Sequence, residues 1–524
     1  MKQTENIKAA EPARVLTKIR APNPTLRIEH LVRSYRNGLP LLLILIGFLI
    51  IQCCLPLQTA VQIGADEGYD LAKAVLILNG YHLYTDIWND QPPLYTFLVT
   101  QTVKYSDSIL GPRLITTAFT VLLLISVYCI SLRTSGLAVA ILATAFLIAS
   151  PGFVELSSSC MVEIPALAPA VAALCLLIST GRRKWPLGEI LAGIAFGIAF
   201  QNKLLNMILL PLAALIVWHQ HSSDCKGMHR ARNVLTGLVA LGISTALSFV
   251  VIDLLVDQGT FLLHFQQSWS AHFASGRSFE YGSASEHPFQ WIILLKNWEI
   301  LAPAVAGIAL WGHRFRKPAL PLLPFAWLAL ALVVFTNYKP WWQYYYIHVA
   351  LPLCWCAAVG LIEVYRRARL GGKRMLLLLA AVYVLGAASW MGARIYLQVR
   401  SIRNSNQLYH SLVLKEIERL KPFTKWIYVD QLIYTFHARI PVPPQFAVVS
   451  LKRLWSGDMT NERIAADLWN IQPGLILMAN TTRNPPFKEL LDARYRLIYR
   501  DEDHALYAHS DVIRMAKERD RSAP

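Results

Sequence analysis

Apolar runs near residues 39–58, 109–132, 234–256, 290–311, 319–336, 346–364 and 375–394 approach or reach the roughly 20 residues needed to cross a hydrocarbon core. They constrain the chain more than any other feature. With 55% of its 524 residues hydrophobic and 16% charged, against about 25% charged in an ordinary soluble domain, it reads as a polytopic α-helical membrane protein. The first run follows a basic segment, residues 1–38, and lacks a small-residue cleavage site, so it reads as an anchor with the N-terminus in the cytoplasm.

The net charge of +17 is distributed in short clusters between apolar runs. These are Arg182, Arg183, Lys184; Lys226, Arg230, Arg232; Arg314, Arg316, Lys317; and Arg366, Arg367, Arg369, Lys373, Arg374. This is the signature of cytoplasmic loops and argues against nucleic-acid binding. Stretches 134–181 and 188–218 each lie between cytoplasmic clusters and so each hold an even number of crossings, read as two short helices. About eleven crossings result, with the C-terminus outside. Residues 39–399 form the membrane domain, whose helix interiors read as nearly free of charge, with an external loop at 59–108. The chain turns polar from about residue 400. Strand-length runs at Trp426–Val429, Leu475–Met478, Tyr495–Tyr499 and Ala505–Tyr507, with a helix at Asn461–Trp469, indicate a small extracytoplasmic α/β domain over 400–524.

The external loop carries ADEGYDLAKAVLILNGYHLYTDIWNDQPPLYTFLV, residues 65–99. Asp66 and Glu67 are adjacent acids where the chain leaves the bilayer, Asp70–Leu78 has helical apolar spacing, and Pro92-Pro93 sets an extended lead into the next segment. Two solvated acids at a helix end are an equally good reading of Asp66 and Glu67. In the second external turn Glu163 lies at the membrane edge, where a carboxylate needs a polar cavity or a cation, or else the positive end of a helix. Lys203 is an external interfacial lysine, either a phosphate ligand or a snorkelling anchor. Arg277 is a further possible phosphate contact. Lys339 and the aromatic cluster with Trp341, Trp342, Gln343, Tyr344 and Tyr345 sit at another external turn, where an aromatic belt is the plain alternative. No CxxC, Cys/His zinc spacing or nucleotide-binding loop is found, so no metal ligands are assigned and no cofactor is identified; use of a divalent metal is left open.

These residues resemble the GT-C glycosyltransferases that use polyprenyl-phosphate sugars, in particular the branch of protein O-mannosyltransferases and lipid A aminoarabinose transferase. The resemblance spans roughly 39–365. It rests on Asp66-Glu67 after the first helix, Gly80, Tyr84 and Pro92-Pro93-Leu94 closing the loop, Glu163 before the fourth helix, Lys203, and the late aromatic turn. It departs from the pattern at Glu163, where many members have Asp, at Gln91, where many have Lys, and at Gln343, where a histidine is often found. The resemblance implies an integral enzyme of a bacterial plasma (inner) membrane that moves a sugar from a polyprenyl-phosphate donor to a protein, glycolipid or polysaccharide acceptor. Asp66 would be the general base of an inverting transfer, with Glu67 and Glu163 as further catalytic acids. Lys203, Arg277 and Lys339 would bind the donor phosphate, and Tyr84, Gln91, Pro92, Pro93, Gln343, Tyr344 and Tyr345 would form the donor and acceptor pocket. A glycolipid transporter or flippase, or a non-catalytic envelope assembly protein, are the competing classes. The acids cluster on one external face, and this favours surface chemistry over transport.

Overall fold

The computed structural model describes residues 24–180, 186–222, 228–274, 283–311, 320–404, 412–479 and 485–522. Arg277 and the basic residues Arg182, Arg183, Lys184, Lys226, Arg314, Arg316 and Lys317 lie outside them. In chain order the first helices are α1 (Pro24–Cys53), α2 (Glu67–Leu78), α3 (Leu94–Tyr105), α4 (Leu110–Ser135), α5 (Leu137–Ile148), α6 (Phe153–Ser158), α7 (Glu163–Thr180), α8 (Leu187–Asn202), α9 (Leu210–Ser222) and α10 (Met228–Asp257). There follow α11 (Thr260–Leu263), α12 (Phe265–Ala274), α13 (Ile292–Leu295), α14 (Trp298–Trp311), α15 (Leu323–Asn337), α16 (Tyr346–Leu370) and α17 (Arg374–Asn404).

Six helical segments are long and apolar enough to cross a membrane, and the shorter apolar helices are Asn37–Cys53, Leu137–Ile148, Leu187–Asn202, Trp298–Leu310 and Leu323–Asn337. Seven of these coincide with the apolar runs read from the sequence, and the other four with the helix pairs read in 134–181 and 188–218. Helices α14 and α16 approach so closely that a Cβ at Gly360 would lie 1.8 Å from the Pro303 carbonyl oxygen, the small-residue packing that brings membrane helices together. The bundle interior is less free of charge than its hydropathy implies. Arg394 of α17 pairs with the fully buried Glu299 of α14 at 2.6 Å, and His221 meets Glu189 at 2.9 Å. The Glu299 charge is tolerated inside the bundle because Arg394 matches it.

Between α1 and α4 the outer loop holds two helices. The extended entry read at Pro92-Pro93 does not hold at Pro93, which is αR at φ −79° and ψ −17°, and the next apolar segment starts as α3 at Leu94. A proline is acceptable just before a helix because no intrahelical donor is expected of it there.

The polar C-terminal stretch forms α18 (Leu412–Leu420), α19 (Ile433–Ala438), α20 (Leu451–Trp455), α21 (Asn461–Ile471), α22 (Pro485–Arg494) and α23 (Ser510–Ser522) around strands β1 (Ile427–Val429), β2 (Leu475–Ala479), β3 (Tyr495–Arg500) and β4 (His504–His509). The sheet order is β1-β2-β4-β3. The β1/β2 pair is parallel, with Ile427 opposite Leu475, and the other two pairs are antiparallel. This sheet does not stand apart from the outer loop. Leu71, Tyr84 and Tyr95 of the loop share one hydrophobic core with Val413, Ile433 and Leu468. The join is tight at Gly68, where a Cβ would come 2.6 Å from the Ile433 nitrogen. His437 Nε2 lies 2.9 Å from the Val61 carbonyl, and the Tyr69 hydroxyl donates to the Val449 carbonyl at 3.3 Å.

Candidate active site

Asp66 immediately precedes α2 but makes no capping hydrogen bond, so its carboxylate is left for other work. Its position is fixed by its neighbour. The Glu67 carboxylate is fully buried and takes a two-pronged contact from Arg113 of α4, Nε to Oε1 at 2.7 Å and Nη2 to Oε2 at 2.9 Å. It also accepts from the backbone amides of Ile63 at 2.7 Å and Cys160 at 2.8 Å. Arg113 Nη1 in turn donates to the carbonyls of Leu57 and Ala60. Every lone pair of Glu67 is thus directed at the scaffold, and its carboxylate does not face the cavity that Asp66 lines. Glu67 is a clamp holding the 57–67 segment in place, with its charge matched and hydrogen-bonded as burial demands.

Asp66 borders a cavity of about 300 Å³ whose wall also includes Tyr69, Asp70, Lys73, Asn89, Asp90, Gln91, Pro92, Glu163, Lys203, Trp342, Tyr344, Tyr345 and, from the C-terminal region, Val448, Ser450, Leu451 and Lys452. Burial pushes the Asp66 carboxyl up to about 6; the Glu163 and Asp70 charges add to the shift, and Lys203 and a hydrogen bond from Tyr344 oppose it. A carboxylate raised in this way is poised to accept a proton near neutral pH.

Glu163, the first residue of α7, pairs directly with the Lys203 ammonium. Lys203 follows α8, and its Nζ lies 5.4 Å and 5.1 Å from the ring centres of Tyr344 and Tyr345. The pair and its aromatic seat bring three separate stretches of the chain to one wall. Lys73, also on the cavity, contacts Asp70 at 2.7 Å and donates to Asn89 Oδ1 at 3.0 Å.

Of the residues read from the sequence, the cavity therefore gathers Asp66, Gln91, Pro92, Glu163, Lys203, Tyr344 and Tyr345. Tyr84, Pro93, Gln343 and Lys339 stand outside it. Tyr84 is buried, and its hydroxyl donates to the Gln91 carbonyl at 2.7 Å, so it shapes the loop that presents Gln91. Gln343 and Lys339 are exposed at the outer turn. Lys73, Ser450, Lys452 and the clamp residue Arg113 were not singled out in the sequence. Lys73 had a local signal, its i,i+3 spacing from Asp70 on a predicted helix. Lys452 had none, because nothing near it in the chain announces a site.

Comparisons with known proteins bear on the fold. Residues 70–268 match the family model described as dolichyl-phosphate-mannose-protein mannosyltransferase, a segment that starts just after Asp66. Direct sequence comparison with curated proteins gives no match. Among solved structures, ArnT from Cupriavidus metallidurans, bound to undecaprenyl phosphate, has a TM-score of 0.58 at 15% identity, covering 90% of this chain and 98% of its own. The archaeal oligosaccharyltransferase AglB from Archaeoglobus fulgidus, in complex with an inhibitory peptide and a dolichol-phosphate, has a TM-score of 0.55 at 12% identity over 85% of this chain and 70% of its own. At these identities the likeness is one of fold. The chain shares the fold of these two proteins, and its residues 70–268 resemble a family of mannosyltransferases.

Proposed function

We propose that this chain is a membrane glycosyltransferase that moves a sugar from a polyprenyl-phosphate donor to an acceptor outside the membrane, with Asp66 as the general base and inversion at the anomeric carbon. The observation that carries the reading is Asp66 itself, a half-buried carboxyl with a raised proton affinity and no structural partner of the Glu67 kind, on a cavity lined by lysines. The acceptor hydroxyl or amine loses its proton to Asp66. Its lone pair forms the new bond to the anomeric carbon, and the bond to the phosphate oxygen breaks with its electron pair, releasing polyprenyl phosphate. That leaving group needs cations against its developing charge more than it needs an acid. Lys203 supports this role because an ammonium has three donors and only one is taken by Glu163.

The fold of ArnT and AglB, whose structures hold undecaprenyl phosphate and dolichol-phosphate, supports a lipid-linked donor. The test is the purified protein in nanodiscs with a panel of polyprenyl-phosphate sugars and candidate acceptors, following release of polyprenyl phosphate. Release that requires both a sugar-bearing donor and the Asp66 carboxylate supports the reading; no release with any donor refutes it.

A further inference from the structure

The outer wall of the cavity comes from the C-terminal region, and that wall is held rigidly. Arg453 contacts Asp458 at 2.6 Å, donates to the Val448 carbonyl at 2.9 Å and lies over the Trp88 ring at 4.9 Å. Trp455 stacks on Trp342 at the outer turn, with ring centres 6.1 Å apart and planes 8° from parallel. Lys452, between these anchors, is only 9% exposed.

The lysines of this cavity are not equally committed. Lys203 is in direct contact with Glu163, and Lys73 has Asp70 at 2.7 Å and Asn89 at 3.0 Å. Lys452 has Asp90 at 3.8 Å, beyond hydrogen-bonding distance. Two residues earlier, the Ser450 hydroxyl on the same cavity is buried with no hydrogen-bond partner. A loosely matched buried ammonium and an unpartnered buried hydroxyl are both unfavourable unless something else satisfies them. A phosphate does so, since its oxygens accept from an ammonium and from a hydroxyl at once. The uncharged Gln91 follows Asp90 on the same cavity and supplies no cation of its own.

Resting on the donor proposed above, we infer that Lys452 and Ser450 form the subsite for the donor's lipid phosphate, so that the C-terminal region completes the active site. The ammonium and hydroxyl hold the phosphate while its bond to the sugar breaks, and they keep hold of the released polyprenyl phosphate.

The experiment measures binding of undecaprenyl phosphate, undecaprenol and inorganic phosphate to the full chain in nanodiscs. Lys452→Ala should weaken undecaprenyl phosphate binding by roughly tenfold or more, the scale of a lost charge-assisted hydrogen bond. Lys452→Arg should keep most of it, Ser450→Ala should lose a smaller part, and undecaprenol affinity should not change in any variant. Wild-type affinity in both Lys452→Ala and Ser450→Ala overturns the subsite while leaving the donor reading intact. An equal loss for undecaprenol also overturns it, because the effect would then be on packing. Inorganic phosphate bound by the wild type as tightly as the lipid overturns the lipid assignment. A wild type that binds no undecaprenyl phosphate overturns the subsite and counts against the donor reading itself.

Discussion

Lys203 and Glu163 neutralise one another in the cavity wall, with Glu163 2% exposed and Lys203 7% exposed. Removing either partner strands a buried charge, which costs about 3–5 kcal/mol. Lys203→Ala should therefore lower thermal stability in detergent sharply, and Lys203→Met with Glu163→Gln should recover most of the loss. A lysine that serves only to bind donor would give an unchanged melting temperature in the single variant. Transfer should fall in both, because neither retains the ammonium beside the tyrosines.

Asp66 behaves in the opposite way. Its carboxyl is raised to about 6 in the fold, chiefly by burial, so at higher pH the ionised form is less favourable folded than unfolded. Asp66→Asn removes that penalty and should melt at or above the wild-type temperature at pH 8. Turnover should nevertheless drop by roughly 10² or more, the usual scale of general-base loss. A base must be deprotonated to act, so wild-type kcat/KM should fall as pH drops through about 6 and level off above it. Retained turnover in folded Asp66→Asn protein, or a rate independent of pH between 5 and 8, would remove Asp66 from this role.

Glu67, clamped by Arg113, and Asp66 separate structure from chemistry at adjacent positions. Glu67→Gln keeps size but takes the charge from a pair that is fully buried on both sides. Unfolding should become easier by about 3–5 kcal/mol, as for other broken buried pairs. Replacing both residues with Met should recover only part of this, because the amides of Ile63 and Cys160 and the carbonyls of Leu57 and Ala60 all lose partners. A folded, stable but inactive Glu67→Gln enzyme would return Glu67 to the list of catalytic acids.

How much of this was legible in the sequence depends on the distance over which each signal acts. Hydrophobic runs located the long helices and, at strand length, β1 to β4, because both are local consequences of burial. The residues alone single out Asp66 and Glu67 only as a pair, and the resemblance makes Asp66 the base and Glu67 a further catalytic acid; the partner that makes Glu67 a clamp, Arg113, lies 46 residues away. α3 falls inside the stretch read as the external loop, 59–108, because its 12 residues are too few to stand out as a crossing. Lys452 and Ser450 were out of reach altogether. They face the 66–92 loop because a core joins Leu71 and Tyr95 to Ile433, and no periodicity specifies such a pairing.

The same join fixes which side of the membrane the C-terminal region occupies relative to the site. Arg403, at the end of α17, donates to the Cys54 carbonyl at 2.7 Å, just past the end of α1. At the other end of α1, the Asn37 carbonyl accepts from Tyr128, close to the basic end of α4. The ends of α1 and α17 thus share the face that carries Asp66, and the start of α1 lies at the face of Arg133. The basic Lys373-Arg374 start of α17 should be cytoplasmic, which puts the sheet outside. With Cys53 and Cys54 changed to Ser, a cysteine in place of the exposed Glu462 should react with a membrane-impermeant maleimide in spheroplasts. One in place of the exposed Lys373 should react only after lysis. The reverse pattern would invert the topology and place the Asp66 cavity in the cytoplasm, where an acceptor would have to be sought instead.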